Sequence, residues 1–149
     1  MADAATISVT ATMLPDEIAK TITGSMTVSP ADANHKRYYK LTSVTNSSND
    51  MIGGYYSNYT ALADSTAPQT VAVTDTVAFL WIQNTDASNA VYINIAAGTA
   101  AAAAGNITVG AGETWYARLG LTLAGSIHAI SSTSTVSCIV CAMFDDVSV

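Results

Sequence analysis

The chain has 149 residues, is 50% hydrophobic and only 11% charged, and sets five Lys and Arg against eleven Asp and Glu for a formal net charge of -6. A chain of this length fits one domain and buries roughly 70% of its unfolded surface without needing a disulfide or a metal. The acidic balance argues against nucleic acid as a partner, because phosphate neutralisation needs clustered Lys and Arg, and no apolar run approaches the ~20 residues of a membrane span.

Charge this sparse is under half the ~25% of an average soluble protein. Thr, Ser, Ala and Asn take the place of Lys and Glu. A free monomer wants charge on its surface for solubility, so the composition points to a subunit that hides surface against neighbours. The N-terminus, Met1-Ala-Asp-Ala-Ala-Thr6, has neither the basic start nor the hydrophobic core of a signal peptide, and synthesis in the cytoplasm is expected. The sequons at Asn46, Asn58 and Asn106 then read as chance in a chain rich in Asn, Ser and Thr.

Along the chain, Thr6-Ile-Ser-Val-Thr-Ala-Thr12 alternates apolar and hydroxyl residues, as a half-exposed strand or an extended arm over residues 1–14 would. Leu14-Pro-Asp-Glu17 breaks it. Ile18, Lys20, Ile22, Gly24, Met26 and Val28 then alternate with Ala19, Thr21, Thr23, Ser25 and Thr27, which predicts one long two-faced strand or two strands bent at Gly24. Ser29 to Asn34 is a turn cluster. His35-Lys36-Arg37, with Lys40, is a small basic group that opens the strand Tyr38–Thr45; its sharper reading is a salt contact with an acidic neighbour. Met51 to Thr60 is irregular, and its tyrosines Tyr55, Tyr56 and Tyr59 suit a subunit contact or, less well, a sugar platform. Ala61 to Gln69 connects.

From Thr70 to Phe144 one device repeats, a short apolar or alternating run and then a Gly, Asn, Asp or Ser turn. The runs are 77–84, 90–95, 106–109, 113–119, 127–130 and 135–144. Val, Ile, Thr and aromatic residues at this spacing predict an all-β domain, an antiparallel β-sandwich of about 8–10 strands closed as a jelly roll or another Greek key. The Ala-rich stretch 96–105 is bracketed by Gly98 and Gly105 and reads as a small-residue loop, because six residues are too few for an isolated helix. The run 135–144 is apolar on both faces, with Val136, Cys138, Val140, Ala142 and Phe144 opposite Ile139, Cys141 and Met143. It is expected to be central and covered on its outer side, or packed on a neighbouring subunit. Phe79 to Ile82 shows the same feature, and Trp81 with Trp115 or Tyr116 is expected in the core.

No catalytic constellation stands out. There is no G-x-S-x-G, P-loop or H-E-x-x-H, and no enzyme or cofactor is expected. Cys138 and Cys141 form a lone C-x-x-C, and at i and i+3 of a strand the two thiols point to opposite faces. His128 alternates with apolar neighbours as an ordinary strand histidine. The acids are dispersed, mostly at turns, where Asp bonds local backbone.

The order of motifs in the C-terminal half carries a resemblance. Leu80-Trp-Ile-Gln-Asn84 precedes Ala90-Val-Tyr-Ile-Asn-Ile95, then Ile107-Thr-Val-Gly-Ala-Gly-Glu113 with Trp115-Tyr-Ala-Arg-Leu119, then Ile127-His-Ala-Ile-Ser-Ser-Thr133 and a long last strand. This pattern over residues 77–144 resembles the small β-sandwich structural proteins of tailed-bacteriophage virions, most of all the capsid decoration (cement) proteins. The resemblance implies a non-enzymatic homo-oligomer, a trimer, that sits on the capsid surface and clamps subunits of the major capsid protein. A tail, neck or baseplate component is the alternative, and a carbohydrate-binding adhesin module a more distant one. The contact residues expected on this reading are Ile7 and Val9 of the arm, Tyr55, Tyr56 and Tyr59, and Lys36 and Arg37.

Overall fold

The computed structural model describes residues 5–13, 20–28, 36–52, 54–55, 70–96, 99–101 and 107–145. In chain order its strands are β1 (Ala5–Met13), β2 (Lys20–Val28), β3 (Lys36–Val44), β4 (Asn49–Asp50), β5 (Gly54–Tyr55), β6 (Thr70–Val71), β7 (Thr76–Asn84), β8 (Val91–Asn94), β9 (Ile107–Val109), β10 (Thr114–Leu123), β11 (His128–Ser131) and β12 (Val136–Asp145). The one helical element among the described residues is a 3-10 turn, Ala124–Ser126.

Eight of these strands build two antiparallel sheets. One has the order β10-β7-β12-β3 and the other β4-β11-β8-β9. The pairings nest: β3 with β12, β4 with β11, β7 with β10, and β8 with β9. Four nested antiparallel pairs folded over into two sheets are the double Greek key of a jelly roll. The chain crosses between sheets just after β3. There Asn49 Nδ2 donates to Thr45 Oγ1 at 3.0 Å and the Ser131 N–H donates to the Thr45 carbonyl at 2.9 Å. The all-β sandwich expected from the alternation is what forms.

The main core lies between the two sheets. β7 contributes Val77, Leu80 and Ile82, β12 contributes Val136, Cys138, Val140, Ala142 and Phe144, and the facing sheet contributes Val91, Ile93, Val109 and Ala129. Phe144 meets Tyr38 edge to face, with centroids 6.4 Å apart and planes at 79°. Each fully buried side chain of this size contributes roughly 1.5–3 kcal/mol by leaving water. β12 lies between β7 and β3, so it is the central strand its two-faced sequence predicts. A bulge on β7 between Val77 and Phe79 lets both residues face partners on β12, Phe144 and Met143. β10 runs past Leu119, where the turn spacing ended it, through an irregularity between Arg118 and Thr122 and on to Leu123.

Turns are held by their own side chains. Asp75 accepts the Ala72 N–H at 2.8 Å, and Glu113 accepts the Gly110 N–H at 2.8 Å. Gly112 takes φ +72, a conformation that L side chains rarely adopt, which accounts for the Gly-Ala-Gly-Glu turn. At the same end of the sandwich, fully buried Asn84 donates to the carbonyls of Asn89 (2.8 Å), Gly110 (2.9 Å) and Val109 (3.2 Å) and accepts the Asp86 N–H (3.0 Å). One amide side chain thus ties the β7–β8 loop to the β9–β10 turn.

Of the two readings of the N-terminal segment, a half-exposed strand or an extended arm, residues 5–13 form the strand. Ala5–Met13 pairs along its whole length with Lys20–Val28, and Gly24 sits opposite Val9 with no bend in register. One face of this hairpin is all hydroxyl: Thr6, Ser8, Thr10, Thr21, Thr23, Ser25 and Thr27 are exposed. On the other face Ile7, Met26 and Val28 pack on the outer side of the first sheet, against Phe79, Met143, Trp81 and Tyr116. In the Ala-rich stretch, residues 96 and 99–101 are irregular and the remainder lies outside the described residues.

Candidate interaction surface

Among the described residues the Cys and His side chains lie apart from one another. Cys138 points into the core and Cys141 to the opposite face of β12; both are free thiols. Burial, with the Asp86 charge adding, pushes the Cys138 thiol up to about 11, and burial raises Cys141 as well. A thiol held protonated is a poor nucleophile and a poor metal ligand. His128 Nε2 lies 3.0 Å from Asp50 Oδ1 across the β11–β4 pair, while its buried Nδ1 has no partner. Among the described residues no group of three or more His, Cys, Asp or Glu could hold a metal ion, and no helix is long and apolar enough to cross a membrane.

The distinctive surface is the outer face of the β10-β7-β12-β3 sheet. Strand register sets its side chains in rows. Tyr116, Trp81, Cys141 and Tyr39 cross all four strands, and Thr114, Gln83, Ile139 and Leu41 form the next row. Trp81 and Tyr116 stack, with centroids 5.3 Å apart and planes at 18°. They are half-buried beneath the hairpin and not in the main core, where the sequence places Trp81; Trp115 is the aromatic that packs against that core. The reason is strand parity. Leu80 and Ile82 face inward, so Trp81 between them faces out.

At the β3 edge none of the described residues covers the face. Tyr39 is 43% and Leu41 52% exposed, beside half-buried Ile139 and Cys141. The hairpin has a matching free surface. Along its apolar face exposure rises from Val28, at 1%, to Ile22, at 56%. Exposed apolar side chains on two features of a charge-poor chain make this a candidate contact face.

The residues expected to make contacts fall in different places. Ile7 faces the protein's own sheet, and Val9 is half-buried on the same side of the hairpin. Lys36 and Arg37 open β3, opposite Phe144 and Met143 of β12. Tyr55 is in the two-residue ladder β5–β6, and Tyr56 and Tyr59 lie outside the described residues. Ile22, Tyr39 and Leu41 are what the sequence reading missed. The consecutive Tyr38-Tyr39 in a strand was the available signal, because one of two neighbouring aromatics must face away from the core.

No protein-family model, curated protein or solved structure matches this chain.

Proposed function

We propose that the protein is a non-enzymatic structural component of a tailed-bacteriophage virion, a decoration protein that binds between subunits of the capsid shell and stabilises it. The observation that supports this reading most is the pair of exposed apolar side chains Tyr39 and Leu41 at the β3 edge of the jelly-roll sheet. An exposed sheet edge offers modest contacts, and many copies on one lattice convert modest contacts into stable attachment through effective concentration. Sparse charge on the protein suits a surface that is covered in the assembled particle. The motif resemblance over residues 77–144 supplies the class of particle.

Co-sedimentation with undecorated phage capsids tests the reading. Saturable binding at a fixed copy number per shell is the expected result, and a Tyr39→Ser/Leu41→Ser double variant should bind more weakly. Protein that stays in the supernatant with shells, yet pellets with purified tails, would replace the capsid reading with the tail reading.

A further inference from the structure

We infer that the outer edge of β3 takes up one extended acidic segment of a partner protein as an added antiparallel strand. In the plane of a sheet, the N–H and C=O groups of successive strand residues point to alternate sides. On β12 the Ser137 carbonyl points to the β7 side, where it accepts the Thr85 N–H at 3.0 Å. Cys138, Val140 and Ala142 therefore direct theirs at β3, to their partners Thr42, Lys40 and Tyr38. Arg37, Tyr39, Leu41 and Ser43 then direct their backbone groups away from β12. Thr45, next in that series, does so, since its carbonyl accepts the Ser131 N–H at 2.9 Å. Among the described residues no strand pairs with that side of β3. The side chains of Tyr39, Leu41 and Ser43 are exposed as well. A 9-residue edge strand with an open ladder and exposed apolar side chains is a template for strand addition.

Charge selects the occupant. Lys36, Arg37 and Lys40 are three of the chain's five Lys and Arg, and β3 holds no acid. The paired strand β12 brings one acid, Asp145, at its end. β4, to which the chain crosses after β3, brings Asp50, which His128 Nε2 already meets at 3.0 Å. A strand this basic in a chain of net charge -6 favours an acidic segment. A second copy of β3 is opposed, because antiparallel pairing centred on Lys40 sets Lys40 against Lys40.

Alternation gives the pattern of the segment. Tyr39 and Leu41 share the outer face and Lys40 lies on the other, so the added strand sets apolar residues opposite Tyr39 and Leu41 and acids opposite Lys40 and Arg37. The inference deepens the capsid reading and rests on it for the source of the segment, a subunit of the shell.

Amide hydrogen exchange of the full chain, followed by NMR, tests it with the end-capped peptide Thr-Thr-Val-Asp-Val-Thr-Asp as probe and no capsid present. In the free protein the Tyr39 and Leu41 amides should exchange fast and those of Tyr38, Lys40 and Thr42 slowly. Saturating peptide should slow Tyr39 and Leu41 about tenfold or more and leave the other three unchanged. Methylating the backbone nitrogens of both Val residues should abolish the effect, because their N–H groups face β3. A peptide with Asn in place of both Asp should bind at least about threefold more weakly, with the gap closing at high salt. Tyr39 and Leu41 amides already slow in the free protein, no slowing with peptide, or equal binding by the methylated or the Asn peptide would each overturn the inference. Shells that still bind the protein after such a result would leave the capsid reading standing. Peptide binding by a protein that ignores shells would support the acidic strand and overturn the shell as its source.

Discussion

Asn84 is the most exacting internal test of this fold. Its amide has two N–H donors for three carbonyls, Asn89, Gly110 and Val109, at 2.8, 2.9 and 3.2 Å, so one proton is shared, and its Oδ1 accepts the Asp86 N–H at 3.0 Å. Asn84→Ala removes all of these from a fully buried site. At about 1 kcal/mol net per bond, the expected cost is about 3 kcal/mol, and Tm should fall by roughly 6–12 °C for a chain of this size. Asn84→Asp is the sharper perturbation, because it directs a carboxylate at three carbonyl oxygens. The folded state then favours the neutral acid, so the substituted carboxyl has its folded pKa raised above its unfolded value. Stability of this variant should be highest below the unfolded value of about 4 and fall as pH rises through the folded value. Thermal melts of wild type, Asn84→Ala and Asn84→Asp at acid and neutral pH measure this. An Asp variant as stable as wild type at neutral pH, or one that gains stability over wild type as pH rises, would refute the hydrogen-bond assignment.

Other outcomes follow from single contacts. Phe144→Ala should cost about 3–5 kcal/mol in urea unfolding, since the ring is fully buried between the sheets and its removal leaves a cavity. Gly112→Ala should cost about 1–2 kcal/mol, because φ is +72 there, whereas Gly24→Ala in the hairpin, where an added Cβ meets nothing within 4 Å, should be neutral or slightly stabilising. The Ser88 and Asn89 backbone N–H groups hold the Asp86 carboxyl below its ordinary 3.8. Its contribution is therefore present above that value and lost as pH falls through the folded pKa. Asp86→Asn should flatten the acid side of a Tm–pH profile, and an unchanged acid slope would count against the assignment.

What the sequence conveys well is local. Alternation and turn residues locate β7 through β12 to within a few residues, and the two apolar faces of residues 135–144 announce a central strand, as β12 is. The nested pairing that makes the sandwich a jelly roll is a matter of long-range closure, which alternation leaves open between Greek keys. The N-terminal third illustrates the other gap. Thr6 to Thr12 alternates equally well as a free arm or as half of a hairpin, and only the partner strand and the sheet beneath it decide. Trp81 shows how a single parity step moves a large aromatic from core to outer face. The strip at Tyr39 and Leu41 was harder still to see, because exposure depends on where the hairpin lands and not on β3 itself.

Heat stability of an undecorated phage shell tests the proposed stabilising role. Scanning calorimetry of undecorated capsids, with and without saturating protein, should show the disruption temperature rising with occupancy, and the Tyr39→Ser/Leu41→Ser variant should give little rise at equal concentration. Shells that break at the same temperature with and without bound protein would contradict the account.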